Sequence, residues 1–162
     1  MQLVQEYQAN TTSFVELIKN TPDELFNSKP DEDTWSIAEN VEHIVRSEFG
    51  IARLFKGTTE KDPDRASDKI ISDMKTRFSN RTNKVKAGGV VLPTEGEKSK
   101  DDLIGKFLHS RTQVTELIKT QDLDDICTQF AHPVLGKLTR KEWIYFNIVH
   151  AERHMEQIKE LI

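Results

Sequence analysis

Trp143-Ile-Tyr-Phe-Asn-Ile-Val-His150-Ala-Glu-Arg-His154-Met-Glu-Gln-Ile158 is the stretch from which the fold is read. At about 100° per residue, Trp143, Phe146, Asn147, His150, Ala151, His154, Gln157, Ile158 and Leu161 share one arc. Glu152, Glu156, Lys159 and Glu160 occupy the opposite side. The two histidines therefore sit mid-stripe, where the helix should meet its neighbours. Their i, i+4 spacing stacks the imidazoles on one face, a geometry that can hold a divalent metal between two ring nitrogens. Burying both rings without partners costs roughly a few kcal/mol. A metal is the economical way to satisfy them, and hydrogen-bonded core histidines are the competing reading.

Upstream, apolar residues at Leu3, Val4, Tyr7, Phe14, Leu17 and Ile18 predict a helix over 2–19, with a weak middle at Ala9 to Thr12. Thr21-Pro22-Asp23-Glu24 reads as an N-cap, a first-turn proline and a capping glutamate for a short turn through Phe26. Ser36 and Glu39 make a second capping box, opening a long helix predicted to run to about Phe55 and stop at Gly57. Ile37, Val41, Ile44, Ile51, Ala52 and Phe55 form its core stripe. His43 lies on a flank with Ser47 and Gly50, which leave room beside the imidazole. It is the best third ligand for a site that in catalytic form wants three protein ligands and an open position. Glu39, one turn before His43, could orient that ring or lie over the site.

Gly57 to about Ser67 is a polar connection. Ile70, Ile71, Met74, Phe78 and Val85 mark the inner side of a third helix, ended by Ala87-Gly88-Gly89. The chain to Lys100 reads as loop. Ser99-x-x-Asp102 caps a fourth helix through Ile118 that carries His109, read as structural or exposed. His132-Pro-Val-Leu-Gly136 is a turn, where His132 lines a pocket mouth or is merely exposed. Thr139-x-x-Glu142 caps the last helix. Long amphipathic helices with capping turns and no repeat or boundary predict one all-α bundle domain over 1–162.

Composition bounds the function. The chain has 162 residues, 36% hydrophobic and 31% charged, a balance suited to helices with solvated outer faces. Acids outnumber bases 11 to 5 over residues 1–60, while residues 61–100 carry 10 bases against 6 acids. The bases there alternate with acids and few aromatics interleave, so a nucleic-acid surface is not expected. No stretch approaches the ~18 apolar residues of a membrane span. The N-terminal residues show no signal-peptide pattern. Cys127 is the single cysteine, read as a small packed residue. A soluble, cytoplasmic protein is expected.

Three segments carry a family resemblance. Trp35-Ser36-Ile37-Ala38-Glu39-Asn40-Val41-Glu42-His43 resembles the W-S-x-x-E-x-x-x-H segment of the DinB/YfiT-like superfamily. His132-Pro133-Val134-Leu135-Gly136-Lys137-Leu138-Thr139 with Glu142-Trp143 resembles its H-P-x-x-G-x-L-T-x-x-E-W entry to the last helix, and His150-Ala-Glu-Arg-His154-Met-Glu-Gln157 its H-x-x-R-H-x-x-Q signature. The order and spacing are the family's, and the resemblance spans nearly the whole chain. It implies a four-helix bundle in up-down-down-up order, with a long crossover between helices 2 and 3 that the Gly57–Ser67 connection can provide. It also implies a divalent metal, typically nickel or zinc, on a triad that maps onto His43, His150 and His154. The resemblance implies a family designated as metal-dependent hydrolases, whose characterised relatives include thiol-dependent transferases and isomerases using bacillithiol or mycothiol and many of whose members have no known activity.

Two functions follow as expectations. The first is an enzyme that activates water or a low-molecular-weight thiol against a small-molecule substrate. Glu39 or Glu42 is then the candidate base, against the ordinary roles of helix capping and solvation, and Gln157 could bond to a ligand or substrate. Trp35 and Trp143 are read as packing, and Arg153 as the partner of a surface acid. The second is a non-catalytic, metal-stabilised bundle that binds a small ligand or a protein partner, its metal closed by Glu39 or another carboxylate. Bundles of this kind also pair through an exposed helix face, so a homodimer is compatible with either.

Overall fold

The computed structural model describes residues 2–82 and 87–162. Helix α1, Gln2–Lys19, buries Tyr7, Phe14, Val15 and Ile18 together with Asn10. Its weak middle has a structural use, because the Asn10 amide donates to Ile148 O across the interface at 3.3 Å. The short α2, Asp23–Phe26, starts at Pro22 without a side-chain cap. Thr21, expected to cap it, instead donates back to Leu17 O at 3.0 Å and closes α1.

Helix α3, Ile37–Glu48, opens on the reciprocal capping box of Ser36 and Glu39. It does not run unbroken to Phe55. The chain turns at Phe49 and Gly50 and resumes as α4, Ile51–Phe55. Gly50 is a weak helix residue, and Ser110 Oγ donates to the Glu48 carbonyl at 3.2 Å, so a side chain from another helix holds the last carbonyl of α3.

The connection from α4 to the next long helix is much longer than Gly57–Ser67. It contains β1, Thr59–Glu60, then α5, Ile71–Ser79, then a 3-10 turn at Gly89–Val91. Helix α5 stops at Ser79, short of Ala87-Gly88-Gly89. Asn80 turns to extended backbone, and its side-chain oxygen accepts from Thr82 N at 3.0 Å and from Thr82 Oγ1 at 2.6 Å. This local bonding competes with continued helix. Val85 lies outside the described residues. Helix α6, Lys100–Thr120, begins at the Ser99 cap. Strand β2, Ile126–Cys127, pairs antiparallel with β1, and Thr139 and Glu142 form the expected capping box of α7, Arg140–Lys159.

Helices α1 and α3 each pack on both α6 and α7, whereas α5 packs on α7. Tyr145 reaches Glu6, and Asn147 reaches Tyr7, so α1 and α7 run in the same direction. Phe14 packs on Phe107 and Arg111 bonds to Asn10, which sets α1 against α6 antiparallel. Asn40 meets His154 while His43 meets His150, so α3 and α7 are antiparallel. With α1, α3 and α5 all packed on α7, Ile144, Ile148 and Val149 are buried in addition to the histidine-bearing arc. No helix among the described residues is long and apolar enough to cross a membrane.

The core has two apolar parts, one around Phe55, Met74 and Trp143 and the other around Phe14, Ile37, Phe107 and Ile158. Arg111 joins them, with its guanidinium 4.3 Å from the Tyr7 ring centroid and 4.7 Å from that of Phe107. Its Nε and Nη2 each donate to the Glu48 carboxylate at 2.6 Å. Both side chains are fully buried, and Arg111 also reaches Asn10, Thr11 and the Asn147 carbonyl. A buried ion pair of this kind persists because every donor finds an acceptor. Cys127 is buried in the core as expected, and burial pushes its thiol up to about 11.

Candidate metal centre

Antiparallel packing of α3 on α7 brings three histidines from two helices to one point. The i, i+4 pair His150 and His154 faces α3, and His43 enters from the facing helix. One nitrogen from each of the three lies within 4.8 Å of the others, and the Nε2 atoms of His43 and His150 are 3.1 Å apart. Two nitrogens on a tetrahedral zinc stand about 3.3 Å apart, given Zn–N bonds near 2.05 Å. The rings are nearly closed in, with 5%, 8% and 6% of His43, His150 and His154 exposed.

The proton positions on two rings are fixed from outside the cluster. His43 Nδ1–H donates to Val91 O at 2.8 Å, leaving Nε2 with its lone pair toward the cluster. His154 Nδ1–H donates to Asn40 Oδ1 at 2.8 Å. The Asn40 amide cannot be reversed, because its Nδ2 donates to Ser36 O at 2.9 Å. His150 differs: its Nδ1 is buried and finds no partner among the described residues. The 3.1 Å contact of bare His43 Nε2 with His150 Nε2 is attractive in two ways only. Either His150 Nε2–H donates to it, or a cation accepts both lone pairs.

Burial holds all three rings neutral at pH 7. Desolvation lowers His154 from 6.5 to about 3, aided by the nearby His43 and Arg153. It lowers His150 well below 6.5, with His154 and His43 adding repulsion, and lowers His43 against the opposing pull of Val91 O. Neutral imidazoles are what a metal requires of its ligands. The donor set therefore fits a borderline divalent ion.

Aromatic rings wall the cluster. Trp35 lies 5.1 Å from the His43 centroid and 6.3 Å from that of His154, stacked on the latter. Phe146 stacks on His150 at 5.1 Å, and Phe78 of α5 meets its edge at 5.9 Å. His132 packs on Phe146 at 4.7 Å and accepts Val134 N and Leu135 N at its Nδ1, so it holds the turn before α7 and is half-buried. His109 is exposed on α6.

The other sequence candidates have work elsewhere. Glu39 accepts Ser36 N in the capping box and pairs with Lys29 at 2.9 Å; it does not orient His43, whose Nδ1 is taken by Val91. Glu42 is buried, not solvated. Burial would raise its pKa, but hydrogen bonds from Thr94 N and Oγ1 at 2.9 and 2.8 Å, with Lys98 nearby, outweigh that and lower it. Gln157 is half-buried, and its side-chain oxygen has no hydrogen-bond partner among the described residues. Arg153 donates to the Phe78 and Asn80 carbonyls and ties the end of α5 to α7. Sequence reasoning missed Asn40, Val91 and Phe78. Only Asn40 left a signal, as a poor helix former placed in the first turn of α3 beside a core stripe.

The fold and the site define a class: helical proteins that gather three buried histidines from two antiparallel helices into one cluster. The sequence pattern of the DinB superfamily matches residues 6–158, and the chain belongs to that superfamily. It is 28% identical over 148 residues to the uncharacterized protein YuaE of Bacillus subtilis strain 168, covering 89% of this chain and 87% of the relative. No solved structure matches.

Proposed function

We propose that the protein is a divalent-metal-dependent enzyme whose ion, nickel or zinc, is held by His43, His150 and His154. The observation carrying this reading is the convergence of three neutral imidazoles within 4.8 Å, two of them stripped of the inward proton by Val91 and Asn40. An ion with three neutral ligands and an open position lowers the pKa of a water or thiol bound to it. Hydrolysis or thiol S-transfer on a small molecule follows as the reaction class, with a low-molecular-weight thiol as cosubstrate on the strength of family membership. Around such an ion Trp35, Phe78 and Phe146 exclude water and offer apolar contact to the substrate. The pairing of α1, α3, α6 and α7 supports the family's up-down-down-up four-helix bundle. The buried free Cys127 suits a reducing, cytoplasmic setting.

One observation favours a second reading, a non-catalytic bundle braced by metal. Glu39 and Glu42 are both committed to structural bonds, so neither is free to act as a base beside an ion. Against the brace, the cluster is three histidines with no carboxylate among the described residues to close the coordination. Elemental analysis of untagged protein, purified without added metal or chelator, tests the site. About one equivalent in wild type, lost in His43→Ala and in His154→Ala, establishes it. Turnover of thiol acceptors or small hydrolysable substrates that disappears in His150→Ala with helicity intact then selects the enzyme. Unfolding on chelation without any turnover selects the brace. Metal absent even after reconstitution with zinc or nickel ends both.

A further inference from the structure

We infer that Asn40 is a positioning residue for the metal, acting through His154. This rests on the three-histidine reading above and goes beyond it, because Asn40 ligates nothing. Asn40 is buried on the face of α3 opposite His154. Its carbonyl oxygen accepts His154 Nδ1–H at 2.8 Å, and its amide is anchored on Ser36 O at 2.9 Å, inside the capping turn of the same helix. The ring is thus fixed in one tautomer and one rotation by a group that is itself fixed. Without the acceptor, a neutral imidazole is free to carry its proton on Nε2, the nitrogen the ion needs. Outer contacts of this kind are typically worth 10–100-fold in metal affinity.

The three ligands are supported unequally. His43 rests on a backbone carbonyl that no side-chain substitution removes, and His150 Nδ1 has no hydrogen-bond partner among the described residues. Among the described residues, Asn40 is therefore the side chain that fixes the tautomer of a ligand by a hydrogen bond without itself being a ligand. It is a neutral acceptor, so it orients His154 without adding negative charge, and the full charge of the ion is left facing the open position.

The experiment compares wild type with Asn40→Leu, which keeps the volume and removes the acceptor, and with Asn40→Asp, which restores an acceptor. Zinc affinity is measured by competition with a chromophoric chelator, and the His154 tautomer by long-range 1H–15N correlation on metal-free protein. Asn40→Leu is expected to bind zinc about 10–100-fold more weakly and to lose the pure Nδ1–H signature. Asn40→Asp is expected to keep that signature and to bind more tightly than Asn40→Leu. Should Asn40→Leu not fold, Asn40→Ala takes its place with the same expectation. An acceptor-free variant that folds, binds zinc within twofold of wild type and keeps the Nδ1–H tautomer overturns the inference while leaving the metal site standing. Wild type that binds no zinc brings down the metal reading itself, and this inference with it.

Discussion

His43 and His150 approach nitrogen to nitrogen, with their Nε2 atoms 3.1 Å apart across the α3–α7 interface. Val91 O holds the proton of His43 on its outer nitrogen, so this contact joins a bare lone pair to whatever stands between the rings. An ion that binds there binds the folded chain alone, because the unfolded chain holds the two residues 107 positions apart. Zinc or nickel should therefore raise the melting temperature, with a stabilisation of about 2.7 kcal/mol at a free concentration 100 times Kd. Differential scanning calorimetry of chelator-treated protein, before and after reconstitution, measures it. His43→Ala should melt at the same temperature with and without metal; a rise as large as that of wild type would place the ion elsewhere.

Acid should destabilise the metal-free protein. The folded-state pKa of His154 is about 3 against an ordinary 6.5, and His150 and His43 are lowered as well. Above pH 6.5 each ring is neutral in both states and contributes nothing to the slope. Below it the unfolded chain takes up protons that the fold refuses, so stability falls as pH falls. The limit is about 1.4 kcal/mol per pH unit for each histidine. Urea denaturation at pH 7.5 and pH 5 reads this loss, and His154→Gln should lose less. Equal stability at the two pH values would show that the rings protonate freely in the fold.

The capping boxes at Ser36 and Thr139, the apolar stripes and the His150–His154 pair were legible because each rests on short-range spacing, whereas His43, 107 positions from His150, was a candidate that only the family resemblance tied to them. What was hidden depends on distant segments. Nothing near His43 in sequence signals the Val91 carbonyl 48 residues on. Nothing around Phe78 says that a helix outside the α1–α3–α6–α7 packing will edge onto His150. Gly88-Gly89 read as a helix end, yet Gly89, at φ +63°, opens the 3-10 turn that presents Val91. Glu42 looked like a solvated acid on an amphipathic helix, and no spacing marked Glu48 as buried. Only the folded chain shows Thr94 and Arg111 arriving over them.

The Glu48–Arg111 pair makes a prediction of its own. Arg111→Met leaves a buried carboxylate without its partner and should cost about 3–5 kcal/mol, read by urea denaturation at pH 7.5. The double variant Glu48→Leu with Arg111→Met should recover most of that loss, because both charges leave together. Additive losses in the double variant would mean that the other bonds of Arg111, to Asn10, Thr11 and the Asn147 carbonyl, outweigh the ion pair.

Thr139 caps α7, the helix on which His150 and His154 ride, but at a distance from both. Thr139 Oγ1 accepts Glu142 N at 3.1 Å and itself donates to Ser67 O at 2.7 Å, fastening the start of α7 to the connection before α5. Thr139→Ala should cost about 1 kcal/mol through the cap, while Thr139→Ser, which retains both bonds, should cost less. His150 lies three turns beyond the cap, past the fraying of a terminus, so zinc affinity should stay within about threefold of wild type. Chemical denaturation and chelator competition on the same samples separate the two effects. A large loss of affinity in Thr139→Ala at full helicity would show that the site depends on the register of α7 more than on the bonds of Val91 and Asn40.

The chain has two tryptophans, and they stand differently to the cluster. Trp35 lies directly over it, 5.1 Å from His43 and stacked on His154. Trp143 reaches it only through Phe146, at 5.7 Å. An open-shell ion such as nickel(II) quenches indole fluorescence at short range, whereas closed-shell zinc does not. Nickel titrated into metal-free protein should therefore quench emission with a one-to-one end point, and zinc added first should prevent it. Trp35→Phe should retain the nickel stoichiometry but lose the larger share of the quench. Quenching that survives intact in Trp35→Phe would place the ion on the Trp143 side, near His132, and move the binding site off the His43–His154 edge of the cluster.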